Sequence, residues 1–308
     1  MLYFDHYDSE ELKSLRTAVR PRWGLFLAVV LVLALLAGLL FFLFRPKPDP
    51  HAGQVYLYDG FDWIWYTPLE GVEPNPWTAE HFRPSAGGIP TYLNSDYRTL
   101  RGIDVSEHQL AIDWAQAARS GLDYAYIRVG RRGYTEGGLF EDPYFTRNIQ
   151  GAQAAGLQVG VYFFSQAVNV GEAIAEARFV LDRIGSYRID LPVIYDWEKI
   201  PGAENARTNE LSLETRTECA IAFCETIRAA GYEPGIYFNR NIGYYGYDLS
   251  RLTDYVFWFS LPESPFPNFY YKVDFWQYSF TETVPGIETP TDMNLLFPPV
   301  EPEPTSEA

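Results

Sequence analysis

The sequence predicts an irregular (β/α) barrel of the TIM type, with eight strands and about five helices, preceded by one transmembrane helix. Three observations carry that prediction. An uncharged run of 21 residues occupies Gly24–Phe44. From about Leu100, short β-branched or aromatic runs alternate with helical ones, the signature of a parallel sheet. The helical runs crowd into the first half of that region, and the last strands follow one another almost directly.

The apolar run "GLFLAVVLVLALLAGLLFFLF" has the length of a helix that crosses a bilayer core, about 20 residues. A cleaved signal peptide is the competing reading, but its apolar core normally spans about 7–15 residues and ends at a small-residue site. Here the run is longer and enters "FFLFRPKP" without such a site. Lys13, Arg16, Arg20 and Arg22 precede the run, against Arg45 and Lys47 after it. That bias predicts a single-pass cell-membrane protein, with a cytoplasmic tail over 1–23, the lipid-embedded helix over 24–44 and everything after it outside the cell.

Residues 45–53 read as a Pro-rich linker, extended in character. In 54–98, "QVYLYDGFDWIWYTP" places Asp-Gly between two aromatic runs, a hairpin signal. The remainder of that segment has no clear period, so it reads as a small β-rich appendage or a stalk. Residues 99–298 form the barrel, and 299–308 an acidic, Pro-rich tail.

Within the barrel the strands are "RGIDVS", "YAYIRVG", "QVGVYFFS", "LPVIYDWE", "EPGIYFN", "YVFWFSL", "KVDFWQYS" and "MNLLF". Functional residues of such barrels collect at the C-terminal ends of the strands. Asp104 ends the first strand, Asp196 and Glu198 the fourth and Asn239 the fifth. Trp276 and Gln277 lie near the end of a late strand, and Asp292 opens the last. Acids from separate strands are therefore expected at one mouth.

Alternate residues of a strand face the same way. Asp196 and Glu198 then point together into the barrel, and Val193, Tyr195 and Trp197 face the helices. Two carboxylates with Cβ atoms roughly 6.5–7 Å apart cannot both ionise freely, so one pKa should rise. That is one way to obtain a proton donor at neutral pH. The bland alternative is a structural ion pair with Arg128, Arg131 or Lys199.

Composition narrows the partners. A net charge of −16 argues against nucleic acid, which demands basic patches. The aromatic content of 17% offers rings that stack on sugars as well as pack in cores. Two cysteines and four scattered histidines predict no metal site and no cofactor. Cys219 and Cys224 read as small core hydrophobes, and His108 as a surface residue rather than a base.

Six stretches share a further pattern: "RGIDVSEHQLAIDW" (101–114), "DPYFTRNIQGAQAAGLQVGVYFF" (142–164), "PVIYDWE" (192–198), "GIYFN" (235–239), "FWQYS" (275–279) and "TDMNLLF" (291–297). Together they resemble glycoside hydrolase family 25, the muramidases of the Chalaropsis-lysozyme type. The resemblance implies an eight-stranded barrel with few helices and cleavage of the β-1,4 bond between N-acetylmuramic acid and N-acetylglucosamine in peptidoglycan glycan strands. It implies that Glu198 is the general acid, and that Asp196 stabilises developing charge or orients the 2-acetamido group. Asp104 and Asp292 would support that pair. Tyr162, Tyr237, Asn239, Trp276, Gln277 and Arg128 match positions that line the family's groove, although the family often has Lys where Arg128 stands. A wall-binding domain without turnover is the alternative from another class. A chitinase-like barrel is less consistent, because the aspartates that precede its glutamate are missing from "LPVIYDWE".

Overall fold

A computed structural model of the chain describes residues 23–47, 49–84 and 89–300. The expected cytoplasmic tail, apart from Trp23, and the end of the acidic tail lie outside the described residues. The chain divides into two units, Met1–Ala52 and Gly53–Ala308. In the first, helix α1 (Trp23–Phe44) is exposed along its whole length and carries no charged residue. It is long and apolar enough to cross a membrane.

The second unit begins with two hairpins. β1 (Val55–Tyr58) pairs with β2 (Trp63–Tyr66), and β3 (Phe82–Pro84) with β4 (Pro90–Tyr92). The barrel follows: β5 (Leu100–Val105), β6 (Tyr124–Arg132), β7 (Leu139–Glu141), β8 (Gln158–Ser165), β9 (Val193–Trp197), β10 (Pro234–Asn239), β11 (Val256–Ser260), β12 (Phe275–Glu282) and β13 (Thr291–Leu296). β7 only extends β6 as a hairpin, and the other eight strands close on themselves through β5–β6 and β5–β13 pairing. These are the eight strands expected from the sequence. Parallel order runs from β5 to β12, but β13 is antiparallel to both neighbours. The start of β13 therefore lies at the C-terminal ends of the others, and Asp292 comes to stand opposite Asp104.

Five helices surround the barrel: α2 (Trp114–Arg119), α3 (Phe145–Ala154), α4 (Val170–Ile184), α5 (Leu213–Ala229) and α6 (Arg240–Tyr245). Each of α2, α4, α5 and α6 starts on a polar cap, with Asp113, Asn169, Ser212 and Asn239 accepting the backbone N–H three residues on. Cys219 and Cys224 are buried free thiols on α5. Inside the barrel, Tyr124, Tyr126, Tyr162, Tyr237, Trp258 and Phe275 pack together below the mouth. Such large rings fit because small residues face them. A Cβ added at Gly160 would stand 2.3 Å from the Tyr126 ring.

The outer faces of β11–β13 have no helix of their own length to cover them. Among the described residues, 72–84 and 89–98 take that place. Trp77 and Phe82 are buried there against Phe297 and Trp276. Trp77 Nε1 donates to the Val273 carbonyl at 2.9 Å, and Asn75 Nδ2 to the carbonyls of Pro267 and Phe269 at 2.8 Å each. The segment read as an appendage or stalk is thus part of the barrel's own packing. Its aromatic richness answers the need to bury an uncovered sheet face. Pro298, just after the last strand, is tied to the same layer, with Arg98 N–H donating to its carbonyl at 2.9 Å.

Candidate active site

Strand parity brings the acids to one place. β9 turns Val193, Tyr195 and Trp197 outward, where Tyr195 meets Phe223 and Trp197 lies under the Arg216 guanidinium. Asp196 and Glu198 consequently face inward. They line a pocket of about 230 Å³ together with Asp104, Asp292, Arg128, Tyr162, Tyr237 and Gln277. Asp196 is buried and one of its oxygens, Oδ1, has no hydrogen-bond partner. Glu198 is only partly covered, so of the two it is nearer solvent.

Asp104 is held by a string of side chains. Its Oδ2 accepts from Gln277 Nε2 and Asn294 Nδ2, both at 2.8 Å. Tyr237 donates to Gln277 Oε1 at 2.7 Å, and Trp258 Nε1 to Asn294 Oδ1 at 2.8 Å. Both amides are therefore oriented with their NH₂ groups towards the carboxylate. Glu198 is placed through its backbone. Buried Gln166 donates to its carbonyl at 2.9 Å, and Thr208 donates to Gln166 at 2.8 Å.

The ion pairs lie elsewhere than on the central carboxylates. Arg128 binds Asp142 and Glu107, each at 2.8 Å, and Arg131 approaches Glu107 at 3.8 Å. The arginines pin the loops at the rim, and among the described residues none makes an ion pair with Asp196 or Glu198, although the Arg128 charge partly offsets the rise at Asp196. Burial in this setting raises carboxyl pKa values. Burial lifts Glu198 to about 7, with the Asp104 charge adding to it. Burial pushes Asp104 up to about 6 against the lowering effect of its two amide donors. Asp196 is driven well above the carboxylate range by burial and then by Glu198 and Asp104. Among the described residues no group of three or more His, Cys, Asp or Glu is arranged to hold a metal ion.

A family model described as glycosyl hydrolases family 25 matches residues 103–287, more than half of the chain. The chain belongs to glycosyl hydrolase family 25. It is a glycoside hydrolase of the muramidase kind. The uncharacterized protein YegX of Escherichia coli (strain K12) is 30% identical over 210 residues, 66% of this chain and 71% of that protein. An autolytic lysozyme of Clostridium acetobutylicum is 24% identical over 196 residues, and the chain spans 55% of its length. The bacterial lysozyme of Streptomyces coelicolor superposes with a TM-score of 0.52 at 25% identity, covering 64% of this chain and 91% of that one. A family 25 glycosyl hydrolase from Bacillus anthracis shares the fold with a TM-score of 0.54 at 22% identity, over 65% of this chain and 89% of its own.

The family 25 domain places most of the expected residues at its mouth, with two exceptions. Trp276 turns away from the pocket and packs outside on Phe82, its Nε1 donating to the Leu261 carbonyl at 3.1 Å. Gln277 faces inward, and its neighbour on a strand cannot. Asn239 lies just beyond the pocket and uses its Oδ1 to cap α6. Trp258 and Asn294 were missed, although Asn294 has the parity of Asp292. His108 is exposed as expected, yet it lines the rim of the pocket.

Asp292 carries a stability cost. Burial, followed by Asp104 and Glu198, lifts its pKa from 3.8 to about 9. The folded state therefore binds this proton more tightly than the unfolded state, and stability is lost as pH rises through that window. Asp292→Asn should raise the Tm by a few degrees at pH 8, at roughly 2–4 °C per kcal/mol. The gain should vanish near pH 3, where the group is protonated in both states. Calorimetry at the two pH values checks this, and a lower Tm at pH 8 would contradict it.

Proposed function

We propose that the chain is a membrane-anchored peptidoglycan hydrolase. It cleaves the β-1,4 bond from N-acetylmuramic acid to N-acetylglucosamine, with Glu198 as general acid. The observation that supports this most is the pair Asp196 and Glu198 at the mouth of a family 25 barrel, without an ion pair among the described residues and with its pKa values raised. Glu198, raised to about 7, retains a proton at neutral pH for the departing sugar oxygen. Asp196 lies deeper, and its unpartnered Oδ1 is placed to accept the N–H of a 2-acetamido group or to face developing positive charge. Asp104 supplies the negative charge that, with burial, keeps the acid protonated.

Helix α1 serves as the anchor in this reading. The excess of Lys and Arg before it orients the catalytic unit outside the cell, where its substrate lies. With the enzyme tethered at the membrane, the nearest wall is the cell's own, so remodelling is favoured over attack on distant cells.

Digestion of purified peptidoglycan by the full-length chain, followed by mass spectrometry, tests the reading. The expected products are muropeptides with N-acetylmuramic acid at the new reducing end. Reducing-end N-acetylglucosamine, or peptide cleavage alone, would refute it.

A further inference from the structure

The first hairpin lies outside the residues matched by the family model, and it presents aromatic rings to solvent. Strand alternation and the register Tyr56↔Trp65 and Tyr58↔Trp63 put four rings on one face. Tyr56, Tyr58 and Trp63 are 56%, 36% and 62% exposed. The rings pack on one another, with centroids of Tyr56 and Trp63 5.5 Å apart and nearly parallel. An exposed aromatic face of this extent marks an interaction site rather than chance.

The hairpin turn joins this face to the catalytic mouth. Phe61, 69% exposed, and Gly60 line a cleft together with Glu198, Tyr237, Asn239 and Phe280. Arg240 borders that cleft, lies 5.5 Å from the Tyr58 ring centroid and donates to the Asn268 carbonyl at 2.8 Å. Beyond it a second groove opens, lined by Tyr56, Tyr58, Trp63, Asn75, Asn268 and Tyr270. The turn is held in place. Buried Asp59 accepts from the N–H groups of Phe61 and Asp62 at 2.7 and 2.9 Å and from the Tyr245 hydroxyl of α6.

We infer that the β1–β2 hairpin is the distal end of the substrate groove, which binds sugars of the same glycan strand several residues away from the bond that is cut. This rests on peptidoglycan being the substrate. Aromatic rings offer platforms for the C–H faces of sugars. Asn241, Asn268 and Arg240 surround the rings with polar groups that match hydroxyl and acetamido partners. A lipid surface would instead be met by an apolar patch with no path into the catalytic cleft. The pinned turn spares the entropy of ordering a loop on binding.

The test uses the full-length chain in phosphatidylcholine nanodiscs, with peptide-free wall glycan of long chain length and a glycan tetrasaccharide as substrates. In Phe61→Ala and in Tyr58→Ala/Trp63→Ala, the ratio of kcat/KM on the polymer to that on the tetrasaccharide should fall about tenfold. An unchanged ratio would overturn the inference. If the wild-type chain cleaves neither substrate, the proposed function falls on its own. Cosedimentation with insoluble wall glycan then decides the hairpin, whose variants must bind about tenfold more weakly. In nanodiscs with brominated lipid, quenching that disappears in the double variant and that glycan does not relieve would assign the face to the membrane and refute the glycan site.

Discussion

Glu198→Gln is expected to reduce cleavage of purified peptidoglycan by about a hundredfold to ten-thousandfold while the fold persists. General acid catalysis contributes roughly 10²–10⁴, and Gln keeps the shape of the side chain but has no proton to give. The substitution also removes a partly covered carboxyl that makes no ion pair among the described residues, so the Tm should hold or rise slightly. In the wild-type enzyme, kcat/KM should fall tenfold per pH unit above about 7, where Glu198 loses its proton. The variant's residual rate should lack that limb. Turnover within a few-fold of wild type would end the assignment of Glu198.

Asp104→Asn should move the alkaline limb of the wild-type profile to lower pH by about one unit, which corresponds to roughly 1.4 kcal/mol. At pH 8 the rate should drop about tenfold, with a much smaller loss at pH 5. Asp104 is the charge that bears on all three other acids, raising Glu198, Asp196 and Asp292. Removing it lowers their pKa values and releases the catalytic proton sooner. Asn still presents an oxygen to Gln277 and Asn294, so the string that holds position 104 survives. Asp104→Ala loses that oxygen and should cost stability as well, because the buried amides of Gln277 and Asn294 both lose their acceptor. A pH profile of kcat/KM for both variants separates field from scaffold. An unmoved limb in Asp104→Asn would show that burial alone sets the acid.

Much of this site was legible from alternation. Once "LPVIYDWE" is a strand, Asp196 and Glu198 share a face and Trp197 does not, whatever the rest of the chain does. The same rule forbids Trp276 and Gln277 from both entering the barrel, and it would have recovered Asn294 beside Asp292. Asn239 went to a different task because a helix starts immediately after it and needs a cap. Beyond the hairpin signal, the stretch 68–98 had no period to read. Its order comes from contacts with residues nearly two hundred positions away, such as Trp77 with Val273, and no local pattern carries that information.

By itself, then, the sequence determined the local facts: an apolar helix, eight strands in order, and which face of each strand bears its carboxylates. These follow from backbone periodicity and side-chain chemistry acting over a few residues. Closure of the barrel decided the remainder. The reversed β13 sets Asp292 against Asp104, burial raises four carboxyl groups together, and the aromatic N-terminal segment covers the sheet face that lacks helices. Proximity in space and exclusion of water are properties of the packed chain, and they turn scattered acids into one proton-holding site.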